Sequence, residues 1–367
     1  LRLTRLALTD FRNYRHSVWK PETNISVLTG QNGSGKTNLL EAVSLLAPGR
    51  GLRGAPLQAL CRTDADLWGV AATLSHGIDQ TILGTGANLS ENGRRSFQLD
   101  GSSVRSQAEI AQIFSCVWLT PQMDRIFLEG AGGRRRFLDR LVMALSPDHA
   151  RQMTAHERSV SSRNRLLSER PDEGLWLTSL EDSIARHAVA ASAARLALVE
   201  SMNTHPFDSS DFPKSRLHLD CAITQQLMIS PALQVEDWLR AKLRDSRRDD
   251  RLKGSTSLGA HKADFLLFDH TTGRSAELSS SGQQKAMLLG VILCHAALIE
   301  QSRGDAPAIL LDEPLLHLDE PRRNALLSSL SKLKTPVLLT GTDPDPFSSL
   351  IEKAGFFSVQ DGHIQPA

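Results

Sequence analysis

The chain predicts an α/β head interrupted by an inserted, mainly helical lobe, and three observations predict it. A short apolar run, Ile25 to Leu28, ends at a glycine-rich turn that opens a helix. A second apolar run, Ala308 to Leu311, ends in adjacent acids, Asp312 and Glu313. Between them, after Pro121, apolar residues recur at helical spacing instead of alternating. The expected division is residues 1–120 as the head's N-terminal part, 121–255 as the helical lobe and 256–367 as the head's C-terminal part.

The first stretch reads as strands. Leu1, Leu3, Leu6 and Leu8 lead into Asp10-Phe11-Arg12-Asn13-Tyr14. A helix is expected from Lys36 through Leu46, with Leu39, Leu40, Val43 and Leu46 on one face. Trp68 to Leu74 is strand-like, and Phe97 to Val104 carries Asp100-Gly101, a dipeptide suited to a hairpin turn. In the middle region, Phe137, Leu138, Leu141, Val142 and Leu145 repeat at helical spacing. So do Leu180, Ile184, Ala188, Ala191, Leu198 and Met202, and then Val235, Trp238, Leu239 and Leu243. The heptads are not sustained, so no long coiled coil is expected. Trp118, Trp176 and Trp238 are expected in the core. Arg244 to Lys253 is a run of both charge signs, readable as a solvated loop or helix end or as a nucleic-acid contact.

Composition limits the function. The chain has 367 residues, 40% hydrophobic and 23% charged, with a formal net charge of +1. Any nucleic-acid affinity must therefore come from local patches and be salt-sensitive. With aromatics at 5% and one tyrosine, base stacking would not dominate such binding. The cysteines Cys61, Cys116, Cys221 and Cys294 form no CxxC pair and read as reduced thiols. The chain opens on Leu1 without an apolar leader, and its longest apolar run, Ala286 to Ile299, is short for a bilayer. A cytoplasmic protein without a membrane segment is expected.

The nucleotide signal is specific. Gly30-Gln31-Asn32-Gly33-Ser34-Gly35-Lys36-Thr37 matches GxxxxGK[ST] in full, between an expected strand and an expected helix. The glycines let successive N–H groups turn toward phosphate oxygens, and the helix N-terminus adds positive potential. Lys36 supplies a charge to the β/γ-phosphates of ATP, and Thr37 a hydroxyl to Mg²⁺. Asp312, at the end of its strand, suits the same Mg²⁺ shell, and Glu313 is placed to orient the attacking water. A third segment, Leu278 to Lys285, resembles the ABC-type signature, with Ser280, Gly282 and Gln283 at that motif's Ser, second Gly and Gln positions.

Further segments resemble the RecF family from end to end. Asp10-Phe11-Arg12-Asn13-Tyr14 resembles its FRNY segment, Gly133 to Asp139 its RRxFLD segment and Arg163 to Leu167 its RNxLL helix. Gly259 to Asp264 is similar to GPHRDD and Ser280 to Lys285 to SSGQQK. The resemblance implies an ABC-type P-loop ATPase head related to SMC and Rad50 heads, without their long coiled coil. It implies a weak ATPase that dimerises on ATP, with Ser280 reaching the γ-phosphate held by the partner copy. It implies Asp319 as the D-loop carboxylate and Gln122 at the Q-loop position. It also implies DNA as partner, especially single-strand/double-strand junctions of gaps, together with RecO and RecR, in loading RecA.

Ala260, Lys262 and Ala263 depart from the GPHRDD pattern, and Thr340-Gly341-Thr342-Asp343 lacks the switch histidine of transporter ATPases. The competing readings are a transporter ATPase subunit, a P-loop nuclease of another SMC-like branch and a non-hydrolysing structural module. The first calls for that histidine, the second for an additional acidic nuclease domain; intact Lys36, Asp312 and Glu313 oppose the third. Arg134, Arg135 and Arg136 begin a helix, where the macrodipole disfavours cations. They read either as phosphate or intersubunit contacts or as plain salt-bridge partners. Arg151, Arg158, Arg163 and Arg165 read as a phosphate-tracking surface or a solvated helix face. His261 reads as a hydrogen-bonded histidine rather than a ligand.

Overall fold

The computed structural model describes residues 1–91, 93–104, 106–205 and 214–367. The strands in chain order are β1 (Arg2–Phe11), β2 (Tyr14–Trp19), β3 (Ile25–Thr29), β4 (Leu67–His76), β5 (Asp79–Asn88), β6 (Arg95–Leu99), β7 (Ser102–Val104), β8 (Cys116–Leu119), β9 (Ser215–Asp220), β10 (Asp264–Asp269), β11 (Ala308–Leu311), β12 (Val337–Gly341), β13 (Ala354–Gln360) and β14 (His363–Pro366). They divide between two compact units: Leu1–Asp124 and Ser281–Ala367 belong to the first, while the second begins at Arg125 and takes in Lys214–Ser280.

The first unit holds two sheets. Among the described residues one has the order β14-β13-β3-β12-β11-β8, the other β2-β1-β4-β5-β6-β7. In the former, β13, β3, β12, β11 and β8 run parallel. Parallel strands covered on both faces read as unbroken apolar runs. Accordingly every residue of Ile25–Thr29, Cys116–Leu119 and Ala308–Leu311 is buried. The other sheet is antiparallel, and β4 alternates buried Trp68, Val70, Ala72 and Leu74 with more exposed neighbours. Asp100 and Gly101, at φ 49° and 81°, make the two-residue turn between paired Leu99 and Ser102.

The hairpin of β1 and β2 has more consequence. Phe11 pairs with Tyr14, and Arg12 between them takes φ 55°. Phe11 is buried edge-on against Trp68, which leaves Arg12, Asn13 and Tyr14 to reach the helix Lys36–Ser44 beyond β3. The helix Ser281–Arg303 is long and apolar enough to cross a membrane by length and composition, but 78% of its apolar window is buried inside the protein.

The second unit is mainly helical, with β9 and β10 paired antiparallel. Its helices include Ala131–Leu145, His149–Glu169, Gly174–Thr204, Ala232–Asp245 and Arg247–Lys253. Gly174–Thr204, 31 residues and about 46 Å long at 1.5 Å per residue, packs against His149–Glu169, Ala232–Asp245 and β9. A helix contacted on several sides needs apolar or small residues around its girth, which the alanine-rich stretch Ala188 to Ala197 supplies.

Three expectations fail here. Trp176, expected in the core, stands 49% exposed at the start of its helix, and Trp238 is only half-buried. Arg163, read with a basic surface, is fully buried: it pairs with Asp250 at 2.8 Å and Glu181 at 3.1 Å and donates to the Thr256 hydroxyl and the Leu243 carbonyl. Asp250, from the charge run read as solvated or DNA-facing, is thus an interior partner. Residues 256–280, expected with the head, group with the second unit; β10 zips onto β9, and Arg134 clamps Asp264 through two hydrogen bonds of 2.8 Å.

Candidate nucleotide site

The site is built at the carboxyl ends of the parallel strands. The segment after β3 curls back through Gly30 at φ 147°, Gly33 at 85° and Gly35 at 114°. Two of these glycines are also required sterically: a Cβ on Gly30 would stand 2.3 Å from the Val359 carbonyl oxygen, and one on Gly35 would stand 2.5 Å from Asn13 Nδ2. Gln31, Asn32 and Gly33 are exposed at the mouth of the loop. Ser34 Oγ is buried with no hydrogen-bond partner among the described residues, an orphaned donor at the place where a phosphate oxygen would accept.

Lys36 is 5% exposed, and its ammonium folds onto the loop, donating to the Gly30 carbonyl at 2.6 Å and that of Gln31 at 3.0 Å. Burial pulls its pKa down, opposed by the negative charges of Glu313 and Asp312. Thr37 Oγ1 lies 3.0 Å from each Asp312 oxygen. Thr340, on the strand between β3 and β11, donates its hydroxyl to Asp312 at 2.7 Å and accepts the Glu313 N–H at 2.9 Å. A buried carboxylate beside a hydroxyl is a hard oxygen donor pair of the kind Mg²⁺ uses with phosphates and water, so these residues fit the ion. Groups of three or more His, Cys, Asp or Glu that would hold a metal by themselves are absent among the described residues.

Glu313 takes φ 49°, costly for a non-glycine residue by roughly 1–2 kcal/mol. Its backbone is pinned at both ends: Thr340 holds the N–H, and Lys285 Nζ donates to the carbonyl oxygen at 2.8 Å. Lys285 also pairs with Asp124 at 3.2 Å. Burial lowers the pKa of this lysine and raises that of the aspartate; each opposes the other's shift.

The structure brings Lys36, Thr37, Asp312 and Glu313 together. Gln122 is exposed in the turn Pro121–Arg125 after β8, the strand beside β11. Asp319 caps the helix Glu320–Leu330, accepting the Arg322 N–H at 3.1 Å. Gly282 and Gln283 lie in the first turn of Ser281–Arg303; Ser280 is exposed and belongs to the second unit. Of the three arginines, Arg134 is committed to Asp264, Arg135 donates to the Ala263 carbonyl at 2.8 Å and Arg136 is exposed. His261 is hydrogen-bonded, 3.0 Å from the Thr256 carbonyl and 3.2 Å from His156.

Sequence reasoning missed the residues that brace the loop. Asn13 Nδ2 donates to the Ser34 carbonyl at 3.1 Å and Tyr14 OH to that of Gly35 at 3.0 Å; burial raises the tyrosine pKa. Arg12 grips Glu41 of the following helix with two bonds of 2.8 Å, and Arg53 adds a third at 2.8 Å. Arg95 donates to the carbonyls of Leu45, Ala47 and Gly49 just past that helix. The FRNY resemblance was the available signal for the first three; Arg53 and Arg95 had none.

The family model for the RecF/RecN/SMC N terminal domain matches residues 2–365. The DNA replication and repair protein RecF of Rhizobium rhizogenes is 41% identical over 99% of this chain and 98% of its own length. That of Mesorhizobium japonicum is 39% identical over 99% and 97%. Among solved structures, RecF-ATPrS, described as a recombination mediator protein of the RecFOR pathway, superposes with a TM-score of 0.85 at 24% identity, covering 99% of this chain and 97% of that one. An Smc head domain from Pyrococcus furiosus gives 0.52 at 14% identity, covering 100% and 96%. The fold is thus that of the ABC-type heads, and the chain belongs to the RecF family.

Proposed function

We propose that this chain is an ATP-dependent DNA-binding protein of replication and recombinational repair, acting at single-strand gaps and pairing with a second copy when ATP is bound. One observation carries the reading: Lys36, Thr37, Asp312 and the pinned Glu313 converge beside a glycine loop whose Ser34 hydroxyl is orphaned. Phosphate oxygens would replace the Gly30 and Gln31 carbonyls as acceptors for Lys36. When bound, Mg²⁺ would be held by Thr37 and Asp312 and would neutralise charge on the phosphates. Glu313 orients the attacking water, and slow hydrolysis resets the switch. The names borne by relatives and solved RecF structures support DNA repair, ATP and the RecFOR setting.

In the paired state Ser280, Gly282 and Gln283 of each copy cap the nucleotide held by the other, with Gln122 and Asp319 lining that interface. Arg136 is the surface cation of its cluster that remains for DNA, since Arg134 and Arg135 serve Asp264 and the Ala263 carbonyl. RecO and RecR are the expected partners in loading RecA. Fluorescence anisotropy on gapped DNA tests the reading: ATP should strengthen binding, Lys36→Ala should remove the effect and Glu313→Gln should make it persist. Equal affinity with and without ATP would refute it.

A further inference from the structure

The helix Ser281–Arg303 touches the turn after β11 at two points. A Cβ at Gly282 would stand 2.5 Å from the His317 carbonyl oxygen, so the backbones meet there without room for a side chain. Three residues on, the ammonium of Lys285 donates to the Glu313 carbonyl at 2.8 Å and pairs with Asp124 at 3.2 Å. Positions three apart share a helix face, so one face makes both contacts. Glu313 and His317, the residues touched, both take left-handed backbone angles, φ 49° and 65°. The Lys285 side chain is 1% exposed, too buried to serve as a surface cation.

We propose that Lys285 is a positioning residue for Glu313: it fixes the backbone that presents the water-orienting carboxylate, and it carries the state of the adjoining signature loop to that carboxylate. The inference rests on the roles proposed above for Glu313 and Ser280. Thr340, which holds the N–H of Glu313, is itself tied to Asp312, the carboxylate that Thr37 touches. Lys285 instead follows the helix that begins at the signature segment. Contact of that segment with a nucleotide on a second copy would therefore reach Glu313 of its own chain, coupling the two nucleotide sites of the pair.

Lys285→Met removes the ammonium and keeps an unbranched stem. Hydrolysis kinetics and the lifetime of the ATP-bound pair should be measured for wild type, Lys285→Met, Lys285→Arg and Asp124→Asn. The expectation is a fall in kcat of about ten-fold or more with KM within about two-fold, as for an interaction needed beyond binding. The Lys285→Met pair should also outlive the wild-type pair, because its ATP persists. Lys285→Arg, which keeps a donor, should recover part of kcat. A lysine with only a structural role would instead weaken pairing and raise KM, and that result, or an unchanged kcat, would overturn the inference. If Lys285→Met does not fold, Asp124→Asn is judged by the same criteria. A wild-type chain with neither hydrolysis nor pairing overturns the functional reading together with the inference; an active wild type with an indifferent Lys285→Met overturns the inference alone.

Discussion

The Thr37 hydroxyl stands 3.0 Å from each oxygen of the Asp312 carboxylate, although 275 positions separate the two residues in the chain. β12 makes the meeting possible: it lies between β3, which leads into the glycine loop and the helix carrying Thr37, and β11, which ends one residue before Asp312, and it contributes Thr340 to the same carboxylate. Asp312→Asn keeps the shape and removes the charge. ATP hydrolysis should fall on the order of 100-fold, as for loss of one group that stabilises transition-state charge, and Mg²⁺ should no longer strengthen nucleotide binding. Steady-state assays across Mg²⁺ concentrations check this; an undiminished Mg²⁺ dependence would remove Asp312 from the ion's shell.

Arg12 is the brace of the P-loop helix. Glu41 is 1% exposed and answered by two arginines. Arg12→Ala leaves the carboxylate with Arg53 alone, whose side chain is 31% exposed. The expected loss is about 2–3 kcal/mol of stability, below the 3–5 kcal/mol of a wholly stranded buried charge, together with weaker nucleotide binding. Urea unfolding and an ATP titration would show it, and a loss under about 0.5 kcal/mol, the range of ordinary surface substitutions, would refute the brace.

Arg163 holds the interior of the second unit. Replacing it with methionine takes the ion-pair partner from buried Asp250, which keeps hydrogen bonds from Ser246 and Ser257, and weakens the hold on Glu181, which keeps Arg247 at 2.6 Å. Arg163→Met should cost about 3–5 kcal/mol while ATP affinity stays at the wild-type value, since Arg163 and the nucleotide residues belong to different units. Calorimetry with a binding titration separates the two effects.

His156 makes stability depend on pH. Burial, with His261 and Arg195 nearby, lowers its pKa to about 3, against about 6.5 in an unfolded chain. Between these values the unfolded chain binds a proton that the native state refuses, so stability falls as pH falls from about 6.5 toward 3. The slope approaches about 1.4 kcal/mol per pH unit. His156→Gln lacks this proton. Its stability relative to wild type should therefore improve by roughly 2 kcal/mol between pH 7.5 and pH 5, read from urea melts at the two values. Parallel pH profiles would exclude His156 as a source.

How much of this was legible in the sequence follows from what each signal is made of. The P-loop and the Asp312-Glu313 strand end are local patterns, fixed by backbone conformation and strand burial, and they read directly. The hairpin at Asp100-Gly101 read for the same reason. Arg163 and Asp250 did not, because a charged side chain becomes interior only when partners distant in the chain arrive, and 87 positions separate them. Trp176 misled in the opposite sense: its size suggested burial, but its place at a helix start left it outside. Lys285 was seen as the last letter of a motif; its hold on Glu313 depends on a contact 28 positions away.

A nucleotide shared between two copies of the chain, gripped by Lys36 of one and capped by Ser280 of the other, would double the particle's mass when ATP binds. Light scattering with and without ATP reads that mass. It should double with ATP, stay doubled longest in Glu313→Gln and never double in Lys36→Ala. A single-chain mass under every nucleotide condition would contradict it.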